Sequence, residues 1–157
     1  MTKLALAIAA VVAALMFETA AAADRASIFA PSPYASAARV MRLAERGNMN
    51  AEAQLGWMYQ MGQGVPQDYY KAAKWYYAAA AQGQGWAQYE LGLMYNKGQG
   101  VPRDYILSYM WLNLSASQAV GNDRDFKARM CDAIASKMTA AQLGLAQQMS
   151  LAWYKTR

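Results

Sequence analysis

The side chains able to perform acid–base or metal chemistry are few in this chain of 157 residues. Ten residues are Asp or Glu, one is Cys and none is His, so the commonest general base and the commonest transition-metal ligand are both absent. Glu45, Glu52 and Glu90 fall on different predicted helices without a partner base, and Glu52 and Glu90 are expected to be solvated. We therefore predict no catalytic residue, no cofactor and no metal site, and we expect that the chain is not an enzyme.

Cys131 is the remaining candidate nucleophile, and its place in the sequence indicates a structural role. It flanks an apolar stripe at helical spacing, formed by Phe126, Met130 and Ile134, so we interpret it as a small packed apolar side chain. Two alternatives stay open: a disulfide to another molecule in an oxidising compartment, or a nucleophile that lacks a His partner. A disulfide within the chain is excluded because there is only one cysteine.

The first 23 residues have the composition of a targeting segment. Lys3 is followed by an apolar run over 4–17, and small residues precede Asp24, which is the pattern of a secretory signal peptide cleaved near Ala23. An uncleaved anchor helix is the alternative, but the apolar run is shorter than the roughly 20 residues that a bilayer requires. We therefore predict a periplasmic or secreted product, with a linker over 24–31 and no stable membrane insertion after cleavage.

An internal repeat with an offset of 36 residues dominates the rest of the chain. When residues 51–82 are laid over 87–118, 15 of the 32 aligned residues are identical, a degree of identity that chance does not produce. Each copy contains Gly-Gln-Gly-Val-Pro and then an Asp, at 62–68 and 98–104. No Gly-Lys-Ser or Gly-Lys-Thr follows, so we interpret the segment as a turn between two helices and not as a phosphate-binding loop.

Capping residues mark the helix ends in each copy of the repeat. Asn48 is placed to cap a first helix, and Asp68 and Asp104 are placed to cap the second helix of each copy. Thr139 and Gln142 form a capping box for a last helix. We predict an all-α superhelix, or solenoid, of about two and a half helix-turn-helix repeats plus two C-terminal capping helices. Its parts are a half repeat over 32–47, repeats over 48–83 and 84–120, and C-terminal helices over 122–157.

The repeat resembles the Sel1-like repeat, a relative of the tetratricopeptide repeat with a longer turn. In the first copy the resemblance rests on Ala51, Leu55, Gly56, Tyr59, Gly62, Gly64, Val65, Asp68, Ala72, Trp75 and Ala80. In the second copy it rests on Ala87, Leu91, Gly92, Tyr95, Gly98, Gly100, Val101, Asp104, Trp111 and Ala116. The resemblance implies a protein-interaction scaffold, frequently found in bacterial envelope or secreted proteins, and it implies no reaction.

The face of each first helix that differs between the two copies is the candidate for partner binding. The resemblance implies that these first helices line a concave groove. Aromatic and apolar anchors beside polar groups suit recognition of a peptide or a helix, so we predict that the groove binds one segment of a protein partner. The alternative is that Trp57 and Tyr89 pack between neighbouring helices. The predicted groove residues are Trp57, Gln60, Met61, Tyr89, Leu93, Asn96 and Lys97.

An aromatic and basic stretch over 69–77 raises a different class of partner. Lys71 and Lys74 lie there between two tyrosine pairs, at 69–70 and 76–77. Proteins that bind single-stranded nucleic acid also combine aromatic and basic side chains in this way. Half of these positions belong to the repeat and an exported chain rarely meets nucleic acid, so we predict no nucleic-acid partner. Cell-wall glycan bound by Tyr and Trp stacking is the alternative function that we retain. The net charge of +5 permits acidic partners without requiring them.

Overall fold

The structure is a computed structural model that describes residues 33–155, with side chains described from residue 36 onward. The predicted signal peptide and linker over 1–31 lie outside these residues. The described part of the chain is all-α and contains no strand, which confirms the predicted fold class. Its seven helices are α1 (Pro33–Glu45), α2 (Met49–Met61), α3 (Tyr69–Ala81), α4 (Gly85–Lys97), α5 (Tyr105–Gln118), α6 (Gly121–Ala135) and α7 (Ala140–Lys155).

The predicted capping residues begin the helices. The Asn48 side chain accepts a hydrogen bond from the Ala51 backbone N–H at 3.0 Å, and Asp68 accepts one from Lys71 N–H at the same distance. Asp104 caps α5 in the same way, because its side chain accepts hydrogen bonds from two backbone N–H groups. Each cap satisfies donors that have no partner within the helix. The three predicted N-caps are therefore confirmed.

The turn between the two helices of a repeat has the same backbone in both copies. Gly62 and Gly98 end α2 and α4 in the left-handed region, with φ of 70° and 71°. Six residues after each of these glycines, the N–H of the Asp cap donates a hydrogen bond to the preceding helix, from Asp68 to Tyr59 O at 2.9 Å and from Asp104 to Tyr95 O at 3.0 Å. These bonds fix the angle at which the second helix leaves the turn.

Each helix packs on the next one along the chain from α1 to α6, and α7 returns to pack on α5. Helix α5 therefore contacts α4, α6 and α7. The core is built from small residues, mainly alanine, with a few large side chains such as Tyr76 and Leu112. No helix of the described part is long and apolar enough to cross a membrane.

A Leu-Gly pair lets α2 and α4 lie close to the helix that follows each of them. A Cβ added at Gly56 would lie 2.8 Å from the Tyr76 ring, and one added at Gly92 would lie 2.7 Å from Leu112 Cγ. Both distances are shorter than carbon atoms tolerate, so only glycine fits at either position. Tyr76 and Leu112 are 36 residues apart, and the contact therefore recurs at the repeat period.

Candidate functional site

The predicted groove residues of α2 are partly open to solvent. Met61, in the last turn of α2, is 52% exposed. Trp57 is half-buried and packs against two clusters of the core, one centred on α3 to α5 and one between α1 and α2. This packing explains why Trp57 differs from its repeat counterpart Leu93: it fills space on both sides of α2.

Gln60 belongs to a polar chain that joins α2, α3 and α4. The Tyr76 hydroxyl donates to Gln60 Oε1 at 2.6 Å, and Gln60 Nε2 donates to Glu90 Oε2 at 3.4 Å. Burial, with a smaller effect of the Glu90 charge, raises the pKa of Tyr76 far above its usual range, so the phenol remains a donor at neutral pH. The chain of bonds fixes the Gln60 amide between the two first helices.

The groove residues of α4 have different surroundings, because α6 lies beside them. Tyr89 and Leu93 pack on a cluster of Leu112, Cys131 and Ile134, and the Tyr89 and Phe126 rings lie 6.2 Å apart. The pKa of Tyr89 is raised, mainly because the phenol is partly buried. These contacts leave Tyr89 and Leu93 only partly accessible, and their role in binding stays a prediction.

The remaining groove residues lie at the end of α4. Asn96 Oδ1 accepts a hydrogen bond from Lys137 Nζ at 3.1 Å, which joins α4 to the segment after α6. Lys97 is exposed. The structure therefore places Trp57, Gln60 and Met61 on α2, whereas Tyr89 and Leu93 of α4 pack on residues of α6.

The expectation that Glu52 is solvated is wrong. Glu52 is 5% exposed, because the side chain of Gln82 from the end of α3 covers it and donates a hydrogen bond to its carboxylate at 2.6 Å. Burial raises the pKa of Glu52 and the Gln82 bond partly opposes that effect. Glu90 is half-buried and bonded to Gln60. Neither partner could be predicted from the sequence, since each lies 30 residues away along the chain.

Cys131 is buried, and burial, with a smaller effect of the Asp132 charge, raises the pKa of its thiol to about 11. A thiol with this pKa is protonated at neutral pH and is a weak nucleophile. Cys131 packs with Leu112 and Ile134, as its position on an apolar stripe predicts. Within residues 33–155, no group of three or more His, Cys, Asp or Glu side chains is placed to hold a metal ion.

A tyrosine cavity of about 230 Å³ lies between α3, α4 and the turn before α5. Tyr70 at its edge is 72% exposed, and burial is the main cause that raises the pKa of Tyr95 inside it. Lys74 makes no ion pair with any residue that the structure describes. The cavity is lined by Tyr70, Ala73, Lys74, Tyr77, Leu91, Tyr95, Gly100 and Val101.

The Sel1 repeat family matches the chain at residues 50–84 and 87–120. The crystal structure of c5321, a protective antigen present in uropathogenic Escherichia coli strains displaying an SLR fold, is similar to the chain at 30% sequence identity. The TM-score is 0.70, and the similarity covers 78% of this chain and 26% of that one. A Sel1 repeat protein from Oxalobacter formigenes is similar at 27% identity with a TM-score of 0.55, over 58% of this chain and 37% of that one. A comparison with curated proteins gives no match.

The two matched segments coincide with the pairs α2–α3 and α4–α5. The chain spans about a quarter of the length of the antigen and little more than a third of the Oxalobacter protein. Sel1 repeats generally mediate protein–protein interaction. The chain therefore contains two Sel1 repeats, over 50–84 and 87–120, and the described part has an all-α solenoid fold.

Proposed function

We propose that the protein is a non-catalytic scaffold that binds a peptide or a helix of one protein partner on the face formed by α2 and α4. The observation that carries the proposal is the end of α2, where exposed Met61 adjoins half-buried Trp57. An apolar side chain left in solvent next to a packed aromatic ring is a suitable anchor for a partner side chain.

The Tyr76–Gln60–Glu90 chain of hydrogen bonds supports the same proposal. It fixes the Gln60 amide close to Met61 and Trp57, so a polar group is held in place beside the apolar anchors. A site whose polar groups are fixed before binding loses less conformational entropy when the partner arrives. Lys97 at the end of α4 adds a positive charge at the rim.

The proposal includes a location in the cell envelope, either periplasmic or secreted. Its support is the composition of residues 1–23, with one lysine, an apolar run and small residues before Asp24. The measurement that tests it is N-terminal sequencing of the protein recovered from the periplasm, with Asp24 as the expected first residue. Recovery of the intact chain from the cytoplasm would contradict this part of the proposal.

The scaffold proposal is tested by co-purification of the partner with a Met61→Glu variant. A carboxylate at this exposed position should not affect folding, and it should abolish capture by placing a charge in an apolar contact. Val120→Glu is the matched control, because Val120 is also exposed, at 82%, and lies between α5 and α6. Equal capture by both variants would show that the partner does not use this face.

A second candidate function is glycan binding at the tyrosine cavity. The observation that favours it is the presence of Tyr70 and Tyr77 at the edge of the cavity with Lys74 between them, since aromatic rings can stack on sugar faces and a lysine can pair with acidic groups. Sedimentation with purified cell wall tests it. A Tyr70→Ala variant should lose sedimentation while Met61→Glu retains it; sedimentation by neither protein, or by both, would reject this function.

A further inference from the structure

The tyrosine cavity between α3, α4 and the turn before α5 has an apolar interior and a polar edge. Ala73 and Leu91 are buried, and together with Val101 they give the interior no polar side chain. At the edge, Tyr70 and Tyr77 are 72% and 55% exposed, so this part of the cavity is in contact with solvent. The interior and the edge therefore suit two different chemical groups.

The repeat supplies most of the cavity but not its charge. At an offset of 36, only two of its eight lining residues lack an identical counterpart earlier in the chain: Lys74 and Tyr77 stand where Ala38 and Met41 are found in α1. Repeat packing therefore does not require Lys74 or Tyr77, and these two residues make this cavity different. The six residues that are shared are Tyr70, Ala73, Leu91, Tyr95, Gly100 and Val101.

The walls of the cavity are held in place by the solenoid itself. The ring of Tyr77 makes an edge contact with Trp111, with 6.0 Å between the ring centroids. On the third side, the turn lies so close to the start of α3 that a Cβ added at Gly100 would overlap the backbone of Tyr69. A cavity whose walls are fixed before binding loses less conformational entropy when a ligand arrives.

The volume of the cavity suits one apolar ring. It measures about 230 Å³, and an apolar cavity of about 150 Å³ is sufficient to bind benzene. A sugar ring in the same interior would place hydroxyl groups against Ala73 and Leu91, where no side chain can bond them, and a polar group buried without a partner is costly. The interior therefore favours an aromatic side chain over a sugar.

Lys74 supplies a positive charge at the edge. It takes part in neither of the two ion pairs found among residues 33–155, and the lysines that lie over tyrosine rings in this range are Lys71, Lys127 and Lys137. None of the lining residues is Asp or Glu. A carboxylate at the edge would therefore meet an ammonium group and no like charge, which favours a charge-assisted hydrogen bond.

We propose that the tyrosine cavity binds an aromatic side chain of a partner protein, with an Asp or Glu next to it in the partner sequence paired to Lys74. The ring occupies the apolar interior, and the carboxylate stays at the edge. The proposal rests on the scaffold function proposed above, since Sel1 repeats generally mediate protein–protein interaction. It adds a second contact, on α3 and α4, with a ligand chemistry of its own.

The test is an NMR titration of the isotope-labelled full chain with three blocked tripeptides. Acetyl-Asp-Phe-Asp-amide carries the ring and the charges, acetyl-Asn-Phe-Asn-amide only the ring, and acetyl-Asp-Ala-Asp-amide only the charges. We expect the first to shift the backbone amide signals of Ala73, Gly100 and Val101 in a saturable way. The affinity should be about threefold lower without the charges and about tenfold or more lower without the ring.

A lysine variant assigns the charge effect to Lys74. Lys74→Gln should lower the affinity for the Asp peptide to that for the Asn peptide and should leave the affinity for the Asn peptide unchanged. Lys74 is exposed on α3, so the substitution should not affect folding, and the NMR spectrum of the variant verifies this. Lys155→Gln is the matched control, because Lys155 is an exposed lysine at the end of α7; both affinities should stay unchanged.

The source of the ligand is tested with one further variant. Phe17 and Glu18 are neighbours with the same chemistry in the chain itself, so the titration is repeated with Phe17→Ser in the full chain. We expect an unchanged affinity for the Asp peptide. Tighter binding by this variant would assign the cavity to the chain's own segment and would overturn the proposal of a partner.

Three other results would overturn the proposal. They are the absence of shifts in the three amide signals, equal affinities of the unmodified chain for the Asp and Asn peptides, and shifts of the same signals by glucuronate at the concentrations at which the Asp peptide binds. The last result would assign the cavity to an acidic sugar. Failure of the α2–α4 face gives a different result, namely equal capture of the partner by Met61→Glu and Val120→Glu, because the tripeptide titration does not use that face.

Discussion

The two complete repeats have the same backbone and different polar contacts. In the first repeat, Glu52 is bonded to Gln82 and the buried Tyr76 hydroxyl is bonded to Gln60. In the second repeat the equivalent bond joins Gln88 to Gln118, and Leu112 replaces the tyrosine. The capping bonds and turns are shared, so they are the part of the repeat that specifies helix geometry.

The difference follows from what lies beside each repeat. The second repeat is covered by α6 and α7, and its Leu112 packs against Cys131 and Ile134 of α6. The first repeat has its own polar groups at α2, including a buried carboxylate. The turn and the glycine contacts therefore maintain the solenoid, while the polar side chains adapt each repeat to its neighbours.

Gly100→Ala tests the shared turn and should have the largest effect. A Cβ at this position would overlap the backbone of Tyr69 and Tyr70, and the φ of 69° adds strain. We expect a loss of more than about 3 kcal/mol in the free energy of unfolding, measured by urea denaturation. Gly47→Ala is the control, because its φ is 79° but no atom lies within 4 Å of the added Cβ; it should cost about 1 kcal/mol. Equal losses in the free energy of unfolding for the two variants would contradict the close approach of Gly100 to the start of α3.

Gln88→Glu gives the second repeat the carboxylate of the first. Gln88 is fully buried, its Nε2 donates to Ala80 O at 3.2 Å, and its Oε1 accepts from Gln118. Replacement removes that donor and buries a charge, so unfolding at pH 7 should become easier by about 2–3 kcal/mol. Gln148→Glu on the exposed side of α7 is the control. If Gln88→Glu lowers the free energy of unfolding no more than Gln148→Glu does, the two repeats tolerate the same side chains at this position.

Tyr76→Phe removes the hydroxyl that distinguishes the first repeat and keeps the ring against Gly56. The hydrogen bond to Gln60 is lost, and we expect a destabilisation of about 1 kcal/mol in thermal or chemical unfolding. Tyr77→Phe is the matched control on the same helix, because Tyr77 is exposed and its ring contact with Trp111 persists. Indistinguishable results for the two variants would show that the polar chain contributes nothing to stability.

Glu52→Gln makes the first repeat resemble the second and should have the smallest effect, a stabilisation of about 2 °C in Tm at pH 7. The pKa of Glu52 is raised in the fold from 4.5, so the folded chain holds its proton more tightly than the unfolded one. Stability then falls as pH rises through the window above 4.5, and the Gln variant lacks this loss. The two proteins should therefore converge in Tm as the pH is lowered to 4.5 and below. A difference in Tm between the two proteins that does not change with pH would contradict a raised pKa of Glu52 in the fold.

The helix caps and the turns were predicted from the sequence because each depends on residues only a few positions apart. The repeat architecture was predicted because 15 of 32 residues are identical at an offset of 36. Asn48 and Asp68 bond to backbone groups three residues on, so their spacing is sufficient. The polar contacts of Glu52 and Gln60 were not predicted, since their partners lie 30 residues away and meet them only when the repeats stack.

The candidate site was predicted less completely than the fold for a related reason. Beyond residue 121 the repeat pattern fades, so the sequence does not indicate that Phe126 and Lys137 reach Tyr89 and Asn96.

The central claim, that the face of α2 and α4 holds a protein partner, is tested most directly by photo-crosslinking in living cells. A photoreactive amino acid replaces Met61 in one strain and Val120 in another, and both side chains are exposed. Mass spectrometry of the adducts should identify one discrete protein crosslinked from position 61 and none from position 120. The same set of adducts from both positions, or none from position 61, would contradict the claim.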